Sequence, residues 1–467
     1  MDNKNYGFET LQIHAGQKPD PVTKATGMPL YLSNAFTFED ADQAARIFAL
    51  EEGGYFYSRL SNPTVDALQT RMAALDGGFG AVAFASGTAA IMGLIMTVCQ
   101  SGDEIVVANN LYGGTIGSLS GTMETMGFKS HFVDPKDLKA LDAAITDKTK
   151  LIFVESVGNP NGDMLDFDAI NKIAKKYGIL FVVDNTTPTP YLFKPIEHGA
   201  DLVVYSTTKY LAGHGNVMGG IIVDSGNFNW KDNPRYPLFN IPDKAYHDII
   251  YANLGQAAFC TKAVAKTLRD LGGCMAPFNA YMTLLGLETL SLRMKKHVEN
   301  ARILAKFLNE CEDVEWVSYA ELPDNSNYEL AKKYFPNGFG GLYTFGVKGG
   351  VAGGKTVIDN IKLFIHVTNF ADSRSLLTHP ASTTHAQMSE EERLAGGVKQ
   401  ETIRMSVGLE DVEDLIADLK QAFKKNLKLL ASQIEMLFLL LSYLIIMNCL
   451  FYLTTMFFSL FIITDSY

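Results

Sequence analysis

Ile179-Leu-Phe-Val-Val-Asp184 and Asp201-Leu-Val-Val-Tyr-Ser-Thr-Thr-Lys209, the second running into Gly213-His-Gly-Asn-Val-Met-Gly-Gly220, decide how this chain is read. Each begins as a short run of Val, Leu, Ile and aromatic residues and closes on a charged side chain. Runs of that length bounded by turn residues read as strands buried on both faces, which places them in a mostly parallel sheet covered by helices. Ligands of such sheets gather at the carboxyl ends of the strands. Asp184, Lys209 and, one strand earlier, Glu155 all fall at that rim.

The pattern continues outward. An apolar helix is expected over residues 88–98, and strands over 104–108, 129–133, 151–154, 179–183, 202–205 and 220–223, with helices near 115–126 and 166–177 between them. Long helical stretches at 254–271 and 278–309 then lead to strands at 314–317, 342–347 and 402–407 and a helix from Asp411 to about Leu430. This alternation predicts an α/β chain. Its expected parts are an N-terminal arm with little regular periodicity (1–60), a large ligand-binding domain (61–255), linking helices with a smaller C-terminal α/β domain (256–430), and an apolar extension (431–467).

An amine and a carboxylate ending successive buried strands suit pyridoxal 5'-phosphate chemistry: the lysine condenses with the aldehyde, and the aspartate keeps the pyridine nitrogen protonated. Each alone has an ordinary reading, a solvated strand-end lysine and a turn-capping aspartate. Their surroundings add weight. Ser86-Gly87-Thr88-Ala-Ala90 opens a helix whose first amides form an anion site, although a serine N-cap explains such a start equally well. Ser206 and Thr208 offer hydroxyls to the same phosphate, or simply form a turn. Tyr112, in Asn110-Leu-Tyr-Gly-Gly114, supplies an aromatic face for the pyridine ring or sits in a glycine turn. Asn159, in Glu155-Ser-Val-Gly-Asn-Pro160, could reach the phenolic oxygen; Asn-Pro also initiates turns.

Tyr57 and Arg59 lie too early to share that rim, and are expected to reach across a dimer interface to the partner's phosphate. Arg404, a cation within the apolar strand Ile403-Arg-Met-Ser-Val407, is either paired structurally or grips a substrate carboxylate through two parallel hydrogen bonds.

Composition sets limits. The 467 residues are 47% hydrophobic and 19% charged with a net charge of −11, so more than one core is expected and nucleic acid is excluded as a main partner. Five scattered cysteines without a Cys-x-x-Cys spacing indicate neither a disulfide framework nor a metal site. The polar start Met1-Asp-Asn-Lys-Asn-Tyr6 lacks a signal-peptide core, which makes the cytoplasm the expected location. Gly213-His-Gly215 with Gly219 imitates a dinucleotide fingerprint but comes too late in the sheet to open a first βαβ unit.

Residues 436–463 carry no charge and follow Lys424, Lys425 and Lys428. By length and hydropathy they fit a tail anchor that leaves the large domain in the cytoplasm. Their restricted composition also fits translated non-coding or lineage-specific sequence appended to a complete enzyme, which is the preferred expectation.

Over residues 8–425 the chain resembles the Cys/Met-metabolism pyridoxal-phosphate enzymes, and among them the O-acetylhomoserine sulfhydrylase branch. The resemblance runs through Leu11-Gln-Ile-His-Ala-Gly-Gln17, Tyr57-Ser-Arg59, Ser86-Gly87, Leu111-Tyr-Gly-Gly114, Asp184-Asn-Thr186, Ser206-Thr-Thr-Lys209, His379-Pro-Ala-Ser-Thr-Thr-His385 and Ser406-Val-Gly-Leu-Glu410. It implies an aspartate-aminotransferase-like fold (PLP fold type I), usually a homotetramer built of tight dimers. It makes Lys209 the cofactor-linked lysine, Asp184 the pyridinium partner and Tyr112 the stacking ring, with Lys209 or Tyr112 shuttling protons. Gly87, Thr88, Ser206 and Thr208 match phosphate positions, joined by Tyr57 and Arg59 of an adjacent subunit, and Asn369 and Arg404 match positions near the substrate carboxylate.

The implied reaction converts O-acetyl-L-homoserine and sulfide, or a thiol, to L-homocysteine, or methionine, and acetate. Cystathionine γ-synthase and methionine γ-lyase activities are the alternatives within the family. Gly114, where a lyase commonly has cysteine, and an insertion at 230–251, normally absent from the synthase, both favour the sulfhydrylase. Thr187 stands where an aromatic or large apolar residue is usual, with Pro188 after it, which leaves substrate preference open.

Overall fold

The computed structural model describes residues 6–158, 162–383, 390–391 and 398–464. Its larger sheet has the order β1-β7-β6-β5-β4-β2-β3, formed by β1 (Gly80–Phe84), β2 (Glu104–Ala108), β3 (Lys129–Val133), β4 (Thr149–Glu155), β5 (Leu180–Asp184), β6 (Leu202–Ser206) and β7 (Gly220–Asp224). β3, β2, β4, β5 and β6 are parallel, while β7 runs antiparallel to both β6 and β1. All of β4 and the first four residues of β5 and β6 are buried, as uninterrupted apolar strands between two helical layers require. β1 was not anticipated. Its Gly-Ala-Val-Ala-Phe sequence carries little β-branched signal, and pairing with β7 makes it a strand.

The second sheet, β10-β11-β12-β9-β8, contains β8 (Val314–Ser318), β9 (Leu342–Val347), β10 (Ile365–His366), β11 (Leu376–Thr378) and β12 (Thr402–Ser406). Apart from the β10/β11 pair it is antiparallel. Arg404 lies mid-strand in β12, opposite Thr378 and Thr344.

Several elements differ from expectation. The arm contains helices Phe8–His14 and Ala41–Phe48, the second capped by Asp40, whose side chain accepts from Gln43 N. The stretch at 254–271 is helical without a gap from Ala258 to Leu271, with a π segment over Ala263–Leu268, and Gly255 (φ 59, ψ −122) breaks the backbone only at its start. Residues 278–309 form two helices, Pro277–Leu287 and Leu290–Asn309. The last helix runs from Val412 to Thr464, well past residue 430. No Gly or Pro interrupts that sequence, so nothing in it stops helix propagation.

The insertion at 230–251 packs by aromatic contacts, with Trp230 stacked on Phe239 at 3.9 Å. Tyr236 accepts from Leu180 N at 2.9 Å and donates to Lys150 O, which docks the insertion at the amino ends of β4 and β5. It therefore buttresses the sheet at the end opposite Asp184 and Lys209.

Candidate active site

The loops leaving β4, β5 and β6 meet the β10–β11 loop and β12 around a cavity of about 300 Å³. Its lining includes Ser86, Gly87, Thr88, Tyr112, Asp184, Ser206, Thr208, Lys209, Asn369 and Arg404. Tyr57 and Arg59 are not among the lining residues. Tyr57 is exposed, and Arg59 stacks on it at 5.3 Å while donating to Arg269 O. Asn159 lies outside the described residues, as do Thr384 and His385 of the motif at 379–385.

One wall is a helix start. Ser86 caps the helix Gly87–Val98, its hydroxyl accepting from Ala89 N at 3.0 Å. That oxygen is an acceptor for the helix and still has its own hydrogen to donate. The amides of Gly87 and Thr88 belong to the first turn, where no preceding carbonyl can satisfy them. β6 and β7 crowd this turn so closely that only glycine fits. A Cβ on Gly87 would stand 2.8 Å from Ser206 Cβ, and one on Gly220 only 2.1 Å from Ser86 O. Thr208 Oγ1 accepts from Gly219 N at 3.1 Å, folding the glycine loop back beneath the lysine.

Asp184 ends β5 beside Glu155 and accepts from Thr186 N at 3.0 Å. Burial pushes its carboxyl up to about 6 against these hydrogen bonds, and no cation among the described groups pulls it down. A buried carboxyl lacking a cation matches a protonated ring nitrogen, so the donor set and the carboxyl together fit a phosphorylated pyridine cofactor.

Lys209 stands across the cavity. Its Nζ donates to Asn369 Oδ1 and lies 4.6 Å from the centre of the Phe370 ring. Burial, helped by the Arg404 charge, lowers its pKa to about 8. Arg404 is 7% exposed and donates through Nη2 to Thr368 O at 2.7 Å and Asn369 O at 3.2 Å. The arginine thus shapes the loop that presents Asn369. Ser406 Oγ holds the same loop through Ala371 N at 2.8 Å, with Ala371 in the left-handed region at φ 63.

Tyr112 is half exposed at the rim, and its N–H donates to Glu155 Oε1 at 2.6 Å. Its ring folds over Gly114, where a Cβ would approach Cε1 to 2.4 Å. The sequence reading placed Glu155 at the rim without giving it this partner, gave Thr186 no role of its own, and missed Phe370. Phe370 lies in an irregular loop where no periodicity marks it. Thr186 was visible only as the residue two after Asp184, the spacing of a turn bonded by its own side chain. Thr187 does line the cavity and is 6% exposed.

The family profile described as Cys/Met metabolism PLP-dependent enzyme matches residues 9–424. A sulfhydrylase of Fusarium oxysporum is 47% identical over 421 residues, covering 90% of this chain and 97% of its own. An O-acetyl-L-homoserine sulfhydrylase of Leptospira meyeri is 44% identical over 431 residues, with coverage of 90% and 97%. A crystal structure described as an O-acetylhomoserine (thiol)-lyase of Campylobacter jejuni, containing N'-pyridoxyl-lysine-5'-monophosphate, superposes with a TM-score of 0.88 at 42% identity over 90% of this chain and 100% of that one.

Proposed function

The chain belongs to the Cys/Met metabolism PLP-dependent enzymes, and on that premise we propose that it is an O-acetylhomoserine sulfhydrylase whose chemistry is carried by Lys209, Asp184 and Arg404. Its fold is the aspartate-aminotransferase-like α/β type, and its cofactor is pyridoxal 5'-phosphate. The observation that carries the residue assignment is that an amine of lowered pKa, a buried carboxyl without a cation and a buried guanidinium line one cavity.

The reaction replaces a group at Cγ. The Cγ–O bond of O-acetyl-L-homoserine breaks, a Cγ–S bond to sulfide forms, and L-homocysteine and acetate leave; a thiol in place of sulfide gives methionine or a homologue. Pyridoxal phosphate, when bound, supplies an aldehyde that condenses with amines and a ring that takes up the electron pair released at the α carbon. Ser86, the Gly87 and Thr88 amides, Ser206 and Thr208 would hold its phosphate. Asp184 would face the ring nitrogen, and Tyr112 the ring.

Arg404 and Asn369 would fix the substrate α-carboxylate, which orients the α C–H toward Lys209. A lysine Nζ with its pKa lowered to about 8 has a neutral fraction at physiological pH and can accept that proton and, once it has passed it on, the one at Cβ. The Tyr112 hydroxyl, at the open rim, is the second group able to carry a proton. The sulfhydrylase reading is favoured over cystathionine synthesis and γ-elimination by the sulfhydrylases among its relatives.

The finer reading is a cytoplasmic homotetramer of tight dimers in which Tyr57, exposed, and Arg59, half-buried, both outside the lining of their own cavity, serve the neighbouring one. A large domain over 61–255 and a smaller one over 256–430 would then frame each cavity. Glu435–Thr454 is long and apolar enough to cross a membrane and is 0% buried. We read it as an extension that the catalysis does not use.

The test is direct. Purified protein supplied with O-acetyl-L-homoserine and sulfide should release homocysteine and acetate in equal amounts. Release of ammonia and a keto acid instead would reassign it to γ-elimination.

A further inference from the structure

Among the polar side chains that the helix Leu290–Asn309 buries are Arg293, His297 and Asn300, none more than 7% exposed. Spacings of four and three residues place them in a row on one face, about 10 Å long at ~1.5 Å per residue. Interior groups of this kind need hydrogen-bond partners. Theirs are mainly backbone carbonyls, and most come from the turns that follow two strands of different sheets, β6 and β12.

Arg293 Nη1 donates to Tyr210 O at 2.8 Å, and Nη2 to Gly286 O at 2.6 Å and Leu211 O at 3.4 Å. Tyr210 directly follows Lys209. Gly213 (φ 75) leaves room for this guanidinium, since a Cβ there would stand 2.0 Å from Nη1. Farther along the row, His297 Nδ1 donates to Val407 O at 2.7 Å, and Asn300 Nδ2 to Gly408 O at 3.1 Å and Glu410 O at 2.8 Å. These carbonyls follow β12, the strand that carries Arg404. Burial lowers His297 to about 4, so its ring is neutral, with the proton on the nitrogen facing the carbonyl. The Tyr210 and His297 rings, 4.7 Å apart, join the two halves of the row.

We propose that Arg293, His297 and Asn300 act as a gauge that sets the separation of Lys209 from Arg404, and are thereby positioning residues for the α-carboxylate of the amino-acid substrate. The inference rests on the roles given above to Lys209 and Arg404. The large sheet supplies the amine and the small sheet the guanidinium, so neither sheet alone fixes the distance between them. One helix bonded to the turns that follow both strands ties them together behind the cavity, as the Asn369 loop does within it.

The test is a double-mutant cycle on the holoenzyme, read by the dissociation constant of L-norvaline, an amino acid with the carboxylate but no leaving group. Asn300→Ala should weaken norvaline binding about tenfold, the fold-change for two lost neutral hydrogen bonds, and raise KM for O-acetylhomoserine in parallel with kcat nearly unchanged. In an Arg404→Lys background the same substitution should add nothing, because its effect passes through Arg404. An equal, additive loss in both backgrounds would mark Asn300 as merely structural and overturn the proposal. If Arg404→Lys alone leaves norvaline binding unchanged, the assignment of Arg404 falls first and the gauge with it. Should Asn300→Ala not fold, Asn300→Ser is read by the same cycle.

Discussion

Lys209, half-buried at the cavity wall, and Lys262, buried, are two lysines in unlike surroundings. Each Nζ lies over a phenylalanine, Phe370 at 4.6 Å and Phe239 at 4.1 Å, and burial lowers the first to about 8 and the second further, to about 7. Yet Lys209 opens on a cavity, with Asn369 and the charge of Arg404 as neighbours, whereas Lys262 Nζ donates to Thr97 O at 2.8 Å and abuts the aromatic insertion. A perturbed amine is therefore no sign of catalysis by itself. What distinguishes the two is reach: one amine has space for a reacting group and the other has only protein around it.

Lys209→Ala should lower kcat by at least about 10²–10⁴-fold, the usual size of a lost general base, while Lys262→Met should leave kcat unchanged. Equal losses in steady-state assays would erase the distinction. Next in size, Arg404→Ala should raise KM for O-acetylhomoserine about 10–100-fold, as loss of a charged hydrogen-bonded pair costs ~1.5–3 kcal/mol. An unchanged KM would remove Arg404 from the substrate.

Lys262 should show itself in stability. Its folded pKa lies below its unfolded value, so between about pH 7 and 10.5 the unfolded chain binds more protons and stability rises with pH. Lys262→Met removes that slope. Denaturant titrations should find the variant more stable by about 1–3 kcal/mol at pH 7, with the gap closing toward pH 10. A gap independent of pH would mean that Lys262 is not held neutral by burial.

A subtler contrast concerns cofactor capture. Only the unprotonated Nζ of Lys209 attacks an aldehyde, so reconstitution of cofactor-free protein should accelerate with pH and level off above about 8. Arg404→Leu should move that midpoint upward, because the arginine charge helps lower it; stopped-flow absorbance would record the shift. Smallest of all, deleting residues 431–467 should change neither kcat nor KM. Glu435–Thr454 is wholly exposed, and a fall in activity would tie it to the catalytic body.

Much of the site was legible because it stands at strand ends. Asp184, Lys209, Ser206 and Thr208 could be placed from two apolar runs alone, since a buried parallel strand declares both its length and its exit. Tyr112 and the Ser86 helix start followed from glycine spacing and capping chemistry. Phe370, Thr368 and the Ala371 turn were illegible, because an irregular loop has no period and its shape comes from Arg404 and Ser406 bonding back to it.

By itself, then, the sequence determined the kind of sheet, the rim where the cavity lies and several of the residue types that line it. Continuous apolar strands and glycine-limited turns are local properties that composition and spacing write directly. The tertiary structure alone decided that β7 runs against its neighbours, that the small sheet is largely antiparallel, and that Arg404 opens on the cavity holding Lys209. A strand buried on both faces has the same pattern in either direction, and the meeting of residues 195 positions apart depends on packing between elements. The same holds for the two lysines. Both are amines in largely apolar neighbourhoods, and only the arrangement of the chain around them leaves one with room to react.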